Sequence, residues 1–487
     1  MKNTIKSILS TFLALALIFT VAGCGGTEEP AINDDDFFAD TENVLSGSNE
    51  GNDSTGNQIQ GDSQTQTGSN VQSDNSSNNQ TSKPSNTGST TGGKSWIKVL
   101  SSMPKKLRGT TIEMYNWNPP NEYGNASALM EKFTKETGIK VKWTTADFNT
   151  YQTKLASRVA SDDAPDFART NRPLAYNMMS FQPLSAAKYD FTDAAWDQTL
   201  MKDYSVNGKV YATSLNNTYI SSWAMMFYNK AVIDKYDLEN PYQLWKKGKW
   251  TYNKFMSMCE EFKKASGKEY AAGSIQYSGI AQIFGIGGPY SYNGKKYYSM
   301  LDDSKFLKVT QDVVDLYNTD KTLLHYAVNE FDNGEMPFWI GSSIYARRMN
   351  SYFKNLKGAG TLYCVPMPSV DGQKTYYQGV DEYEAYALIK GAKNPEAVPY
   401  FLRYFLDPEN YDSSSFFVNS QAVEVHKWCA EQKNKLLVFE YWDKLNPTSF
   451  DAIRDLKGNQ VKSFVDSNEN VINQRVKELN DALKKLS

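Results

Sequence analysis

The chain has 487 residues, of which 13% are aromatic and 22% charged, and a formal net charge of −3; its isoelectric point is about 5.7. That length accommodates two domains with extras, and the near-balanced charge provides neither a basic surface for nucleic acid nor an acidic tail for a cation-rich partner, so small, neutral ligands are favoured. Only two histidines, His325 and His426, and four cysteines without a CxxC spacing argue against a histidine-dependent hydrolase or a zinc site, and neither a metal nor a cofactor is expected.

Lys2 and Lys6 precede an apolar run, Ile8 to Val21, broken only by Ser10, Thr11 and Thr20 and followed by Ala22 and Gly23. Residues 1–23 read as a secretion signal, and the run is shorter than the roughly 20 residues of a membrane-spanning helix. The string "VAGC" resembles a bacterial lipobox, in which cleavage before Cys24 leaves its thiol carrying a diacylglycerol; an ordinary cleaved signal with an incidental Cys24 is the alternative. Two acyl chains, at about 0.8 kcal/mol per buried CH₂, hold a chain on a membrane where one holds it only marginally.

Residues 24–100 are assigned to the anchored cysteine and a tether. From Gly25 to about Lys94 the chain is Ser, Asn, Gly, Thr, Gln and Asp, as in "SDNSSNNQTSKPSNTGSTTGG", with too little apolar surface to offset the entropy of ordering. A flexible coil of about 70 residues has an r.m.s. span of roughly 45–50 Å.

The globular pattern starts near Trp96. In "TIEMYNW", Ile112, Met114 and Asn116 alternate with Glu113 and Tyr115 as in a strand, and "NASALMEKFTKETG" sets Leu129, Met130 and Phe133 on one helical face that stops at Gly138. "IKVKW" alternates Ile139, Val141 and Trp143 with Lys140 and Lys142; a helix around Leu155, Ala156 and Val159 halts before Pro165, and "PDFART" predicts a third strand. Strand, helix, strand with short connections implies a βαβ unit and a parallel sheet. Ligands of open α/β sheets bind beyond the carboxyl ends of the strands, which here are "NWNPPNEY" (116–123), "TTAD" (144–147) and "TNR" (170–172). Their amides, hydroxyls and tryptophan suit a hydroxyl-rich ligand such as a sugar, and they hold no nucleophile–base pair. The same residues are also ordinary turn and cap formers.

Further segments recur in a recognisable order: "LMEKFTKETGIKVKW", then "YQTKLASRVASDDAPDF", "NGKVYATSLNNTYISSWAMMFYNKAVIDKYDLENPYQLW", "AVNEFDNGEMPFWIGSSIYARRM", "VPMPS" and "YQGVDEYEAYALIKGAKNPEAVPYFLRYFLDPE". From about Arg108 onward the chain resembles the family 1 extracellular solute-binding proteins, the carbohydrate-type receptors of ABC importers. The resemblance implies an α/β fold of two lobes, each a mainly parallel sheet flanked by helices, joined by hinge strands and closing on ligand in the cleft between them. Lobe 1 is expected from residues 101–215 with 382–428, and lobe 2 from 216–381 with 429–487. It also implies a monomeric, non-enzymatic receptor on the extracytoplasmic face of the cell membrane, with an oligosaccharide ligand and ABC permease subunits as partners. The expected ligand contacts are Trp117, Asn118, Thr170, Asn171, Arg172, Asn216, Asn217, Trp223, Trp339, Ser342, Tyr345, Glu382 and Tyr383.

Some residues keep two readings. Trp223 precedes a buried strand and is either cleft or core, and Trp245 and Trp250 read as structural. Arg172, with Arg347 or Arg348, admits an acidic sugar or lies at the surface. Cys259, Cys364 and Cys429 read as small buried apolar residues, with one long-range bridge possible. "GIGGPYSYNG" (285–294) lacks the strand and helix of a phosphate loop. Asp381, Glu382 and Glu384 offer the carboxylates of an anchored glycosidase, whose geometry sequence proximity does not establish. A peptide, a polyamine or another non-sugar solute, or service to a sensor, is compatible with the same fold. The abundance of Asn, Lys and Tyr together with the tether points to a Gram-positive surface.

Overall fold

The computed structural model describes residues 93–437 and 456–486, apart from 124, 149, 172–174, 217–220, 275–276, 347–351 and 411–416, and only the backbone at 122, 176, 277 and 278. The signal segment, Cys24 and the tether to residue 92, and Arg172, Asn217, Arg347 and Arg348, lie outside the described residues. Among the described residues no helix is long and apolar enough to cross a membrane.

The first alternating stretch forms β1 (Thr111–Asn116), with Ile112 and Met114 fully buried on one face. The following helix, Ala126–Thr137, buries Leu129 and Phe133 and ends at Gly138, whose φ of 75° is a left-handed cap that glycine adopts without strain. β2 (Lys140–Thr145) lies parallel to β1 on one side, and β3 (Phe167–Thr170) lies parallel to it on the other. The intervening helix, Tyr151–Ala160, buries Tyr151 and Leu155. Ala156, expected inside, is exposed, and Val159 is only half buried. Tyr151 explains the shift, because its hydroxyl lies within hydrogen-bonding distance of the carbonyls of both Arg169 (2.8 Å) and Tyr115 (3.0 Å), sharing its one hydrogen between them, and draws the start of the helix onto the sheet.

A hairpin of β4 (Ser205–Val206) and β5 (Lys209–Val210) leads to β6 (Ala212–Thr213). The chain then crosses to β7 (Ser222–Asn229), all eight of whose residues are buried. The remaining strands are β8 (Ala272–Ser274), β9 (Tyr290–Tyr292), β10 (Tyr297–Ser299), β11 (Leu323–His325), β12 (Phe338–Ser342), β13 (Leu362–Pro366), β14 (Gln378–Glu382), β15 (Ala385–Leu388) and β16 (Lys435–Leu437). The strands build two large sheets, ordered β2-β1-β3-β15-β6 and β11-β8-β12-β7-β14-β16, with β13 also on β7, and two antiparallel pairs, β4 with β5 and β9 with β10.

The parallel runs are β2-β1-β3 and β11-β8-β12. Both sheets are nevertheless mixed, because β15 and β6 in one and β7 in the other run antiparallel to their neighbours, while β14 is antiparallel to β7 and parallel to β16. One face of the second sheet, with Met226, Tyr228, Phe338 and Ile340, packs on Phe255, Cys259, Phe306, Val313 and Val314 of two helices, Tyr252–Ser266 and Ser304–Asn318. The cysteines other than Cys24 are buried and free. Burial pushes the Cys364 thiol up to about 12, which makes it an inert packing group.

Two helices depart from the expected division of the chain. The Ser420–Ala430 helix, expected with the first lobe as far as residue 428, packs on β13 and β7 of the second sheet. The Nδ2 of Asn419 ties its start to the Leu362 carbonyl at 3.0 Å. The C-terminal helix, Gln460–Leu486, serves both sheets. Val461, Val465 and Ile472 join the core beneath the second sheet, while the carbonyl of Leu486 accepts from the Tyr211 hydroxyl at 2.8 Å beside the first.

Candidate functional site

Arg169 opens the polar half of β3, Arg169–Thr170, and is almost entirely buried. A buried guanidinium needs anionic partners, and the second crossing, Tyr383 and Glu384 between β14 and β15, supplies them from far along the chain. Nη2 of Arg169 meets Oε1 of Glu382 and Oε2 of Glu384, the latter at 2.6 Å. Burial opposes the charge, but Glu384, with Tyr123, Glu382 and Tyr386 around it, outweighs burial and holds the guanidinium above its ordinary range. The ring of Trp117, just past the end of β1, lies over the guanidinium at 4.0 Å and meets Tyr151 edge-on at 5.0 Å.

The loop after β1 is shaped by Asn116, whose Oδ1 accepts from the backbone N–H groups of Trp117 (2.8 Å) and Asn118 (3.1 Å). Its Nδ2 donates to the Tyr123 hydroxyl at 3.2 Å. Asn118 receives the indole N–H of Trp143 on its carbonyl at 3.0 Å, so the tryptophan of β2 braces this loop from beneath. Beside it, Thr170 pairs with Ala385, and the carbonyl of Asn171 accepts from the Tyr383 N–H at 3.1 Å. Six expected contacts, Trp117, Asn118, Thr170, Asn171, Glu382 and Tyr383, thus meet around Arg169 where the first sheet's strands end.

The other described candidates lie elsewhere. Asn216 is a structural tie, its N–H and Nδ2 bonded to the carbonyls of Ala195 (2.8 Å) and Ala194 (2.6 Å). Trp223 is core: its indole N–H points to Nε2 of His426 at 3.3 Å and its backbone N–H to the Ser343 hydroxyl at 3.1 Å. Ser342 bonds the Ser222 hydroxyl at 2.7 Å, stitching β12 to β7. Trp339 is fully buried, with its indole N–H on the Tyr326 carbonyl at 2.8 Å. Tyr345 stands edge-on to it at 4.7 Å. Trp339 and Tyr345, expected as ligand contacts, are therefore walls of an aromatic box that also holds Phe227 and Phe353.

Residues 117–412 match the model of the bacterial extracellular solute-binding protein family. The chain belongs to that family. No curated protein matches it. Among solved structures, the GacH receptor of Streptomyces glaucescens GLA.O, determined unliganded and with acarbose, shares 18% identity over 77% of this chain and 99% of its own, with a TM-score of 0.55. The cyclic alpha-maltosyl-1,6-maltose binding protein of Arthrobacter globiformis (12% identity; 77% and 99% covered; TM-score 0.54) and the sugar-binding protein MalE of Xanthomonas citri (13%; 77% and 98%; 0.54) are similar in the same way. At such identities the likeness shows the fold, a mixed α/β architecture of two lobes.

In this solute-binding protein the residues that sequence reasoning missed are Arg169, Tyr123, Tyr151 and Tyr386. Arg169 had a signal: an arginine inside the apolar strand "DFART" requires carboxylates, and "DEYE" offers them. Tyr383 was expected to reach ligand, but its hydroxyl is buried and donates to Oδ2 of Asp203 at 2.8 Å, pinning the crossing to the first lobe. Burial pushes the Asp203 carboxyl up and the Tyr383 bond pulls it back. Tyr383→Phe is expected to cost about 0.5–1.5 kcal/mol at neutral pH. Without that bond the folded-state pKa of Asp203 climbs further above its unfolded value, so the deficit shrinks as pH falls towards that unfolded value, near 3.9. Urea melts across that range check it; a deficit independent of pH would contradict the assignment.

Proposed function

We propose that this protein is an extracytoplasmic lipoprotein receptor, anchored through Cys24, that binds a sugar, in particular an oligosaccharide, between its lobes and delivers it to an ABC importer. The observation that carries the reading is the half-buried indole of Trp117 at the carboxyl end of β1, held over Arg169 and flanked by the loop of Asn118 and by Thr170 and Asn171. An aromatic plane beside the partly exposed amide of Asn118, with Arg169 and Thr170 buried beneath it as support, suits the apolar face and the hydroxyls of a pyranose. The family's extracellular role, and relatives described as binding acarbose or a cyclic maltosyl-maltose, support the same ligand class. Glu382 and Glu384 are engaged with Arg169, an arrangement that favours a binding role for them over acid–base work. The lipobox and tether support a place on the outer face of the cell membrane.

The test is thermal unfolding of the full chain with neutral oligosaccharides, uronic-acid sugars, peptides and polyamines. A ligand at 100 times its Kd adds about 2.7 kcal/mol of stability. Trp117→Ala is expected to cost about 1–2 kcal/mol without ligand, the ring being half exposed, and to weaken the sugar at least about tenfold, or 1.4 kcal/mol. An unchanged sugar-dependent shift in Trp117→Ala, or a shift with peptides or polyamines alone, would overturn the reading.

A further inference from the structure

A second concave site lies on the second lobe, lined by none of the residues gathered around Arg169. The Pro241–Lys246 helix and the Ser420–Ala430 helix meet in an open notch of about 370 Å³ walled by Trp245, Lys246, Glu424, Lys427, Trp428 and Glu431. Its volume falls at the small end of the roughly 300–1,000 Å³ range of ligand pockets. The two indoles stand nearly perpendicular, 80° apart with centroids at 5.7 Å, and both remain partly exposed.

Neither wall is loose. Trp428 is braced by the ring of Tyr376 at 5.0 Å, and Tyr376 donates its hydroxyl to the Met367 carbonyl at 3.2 Å. Glu424 is fixed at both oxygens, by the Tyr242 hydroxyl and the Lys246 ammonium, each at 2.5 Å. Those two bonds, Lys246 first, hold its carboxyl below the usual carboxylate range. An aromatic wall braced as Trp428 is loses little entropy on meeting a ligand.

The charges select the ligand. Two carboxylates and two ammonium groups cancel, so an anion gains nothing, and the ammonium groups of Lys246 and Lys427 oppose a cation entering the indole corner. A purely apolar guest would desolvate four charged groups without replacing their hydrogen bonds. What remains is a neutral guest with an apolar face and a hydroxyl rim.

We propose that the Trp245–Trp428 notch is a second binding site for one or two rings of a neutral glycoside, independent of the interlobe site. The test uses the full chain labelled with 5-fluorotryptophan, in the Trp117→Ala background that disables the first site. Maltotetraose, xylotetraose, cellotetraose and mannotetraose serve as neutral probes, with tetragalacturonate and choline as charged controls. Fluorine resonances are assigned by single Trp→Phe exchange. The expected result is that at least one neutral tetraose moves the Trp245 and Trp428 signals together and saturably while the charged probes do not. Trp428→Ala should weaken that binding at least about tenfold, and Glu431→Gln, at the rim, should leave the fold intact and weaken it less. Signals unmoved by all four tetraoses, or moved by choline or tetragalacturonate instead, would overturn the proposal. Loss of sugar binding at Trp117 would leave this result unaffected, so the two readings fail separately.

Discussion

Arg169→Met is expected to destabilise the protein by about 3–5 kcal/mol, the cost of leaving a buried carboxylate without its cation. The guanidinium is the shared partner of Glu382 and Glu384, and Glu384 is fully buried. In the variant the folded-state pKa of Glu384 must rise above its unfolded value. The folded form then holds more protons than the unfolded one, so stability increases as pH falls through that window. Urea unfolding between about pH 5 and 8 should show the deficit shrinking towards acid. Adding Glu384→Gln to Arg169→Met should recover much of the loss, because the amide leaves no charge to strand. A deficit under about 1 kcal/mol, the range of an exposed ion pair, would refute the account.

Trp339→Ala is expected to cost about 3–5 kcal/mol, as truncations of buried tryptophans do, while the fraction that stays folded binds ligand normally. The indole lies across two glycines: a Cβ built on Gly341 would sit 1.8 Å from its Cζ3, and one on Gly273 2.4 Å from its Cδ1. No other residue leaves room for the ring at those positions of β12 and β8. Gly341→Ala should therefore cost about 1–3 kcal/mol by crowding. In the double variant the methyl group meets no indole, and the combined loss should fall below the sum of the single losses. Strict additivity in denaturant melts would mean that ring and glycine are not coupled.

These two cases also mark what could be read in the sequence. The order strand, helix, strand, helix, strand from Thr111 to Thr170 was legible, because the first helix has a clear apolar side and the two helices end at Gly138 and before Pro165, although the inward side of the second was misplaced. The loops after β1 and β3 followed from that topology. The tryptophans of the second sheet were not legible in the same way. β7 and β12 are buried on both faces, so no polar alternation reveals which way Trp223 or Trp339 points. The anchor of the site was hidden for another reason. Arg169 and Glu382 are 213 residues apart, and only the return of the chain through β14 into β15 brings them together.

The Gln460–Leu486 helix carries a mechanical consequence. Its 27 residues make a rod of about 40 Å at 1.5 Å per residue. One end is embedded beneath the second sheet. The other is held by the Tyr211 hydroxyl and by Asn480, whose side chain bonds both the N–H (2.9 Å) and the carbonyl (3.0 Å) of Tyr297. Tyr297 in turn receives the Ala175 N–H on its hydroxyl at 3.3 Å, next to the segment that follows β3. Any swing that parts the two sheets must bend this rod or unfasten its far end. The last turn of this helix thus works as a latch across the two sheets, and trimming it is expected to let them part more readily without touching any residue gathered around Arg169.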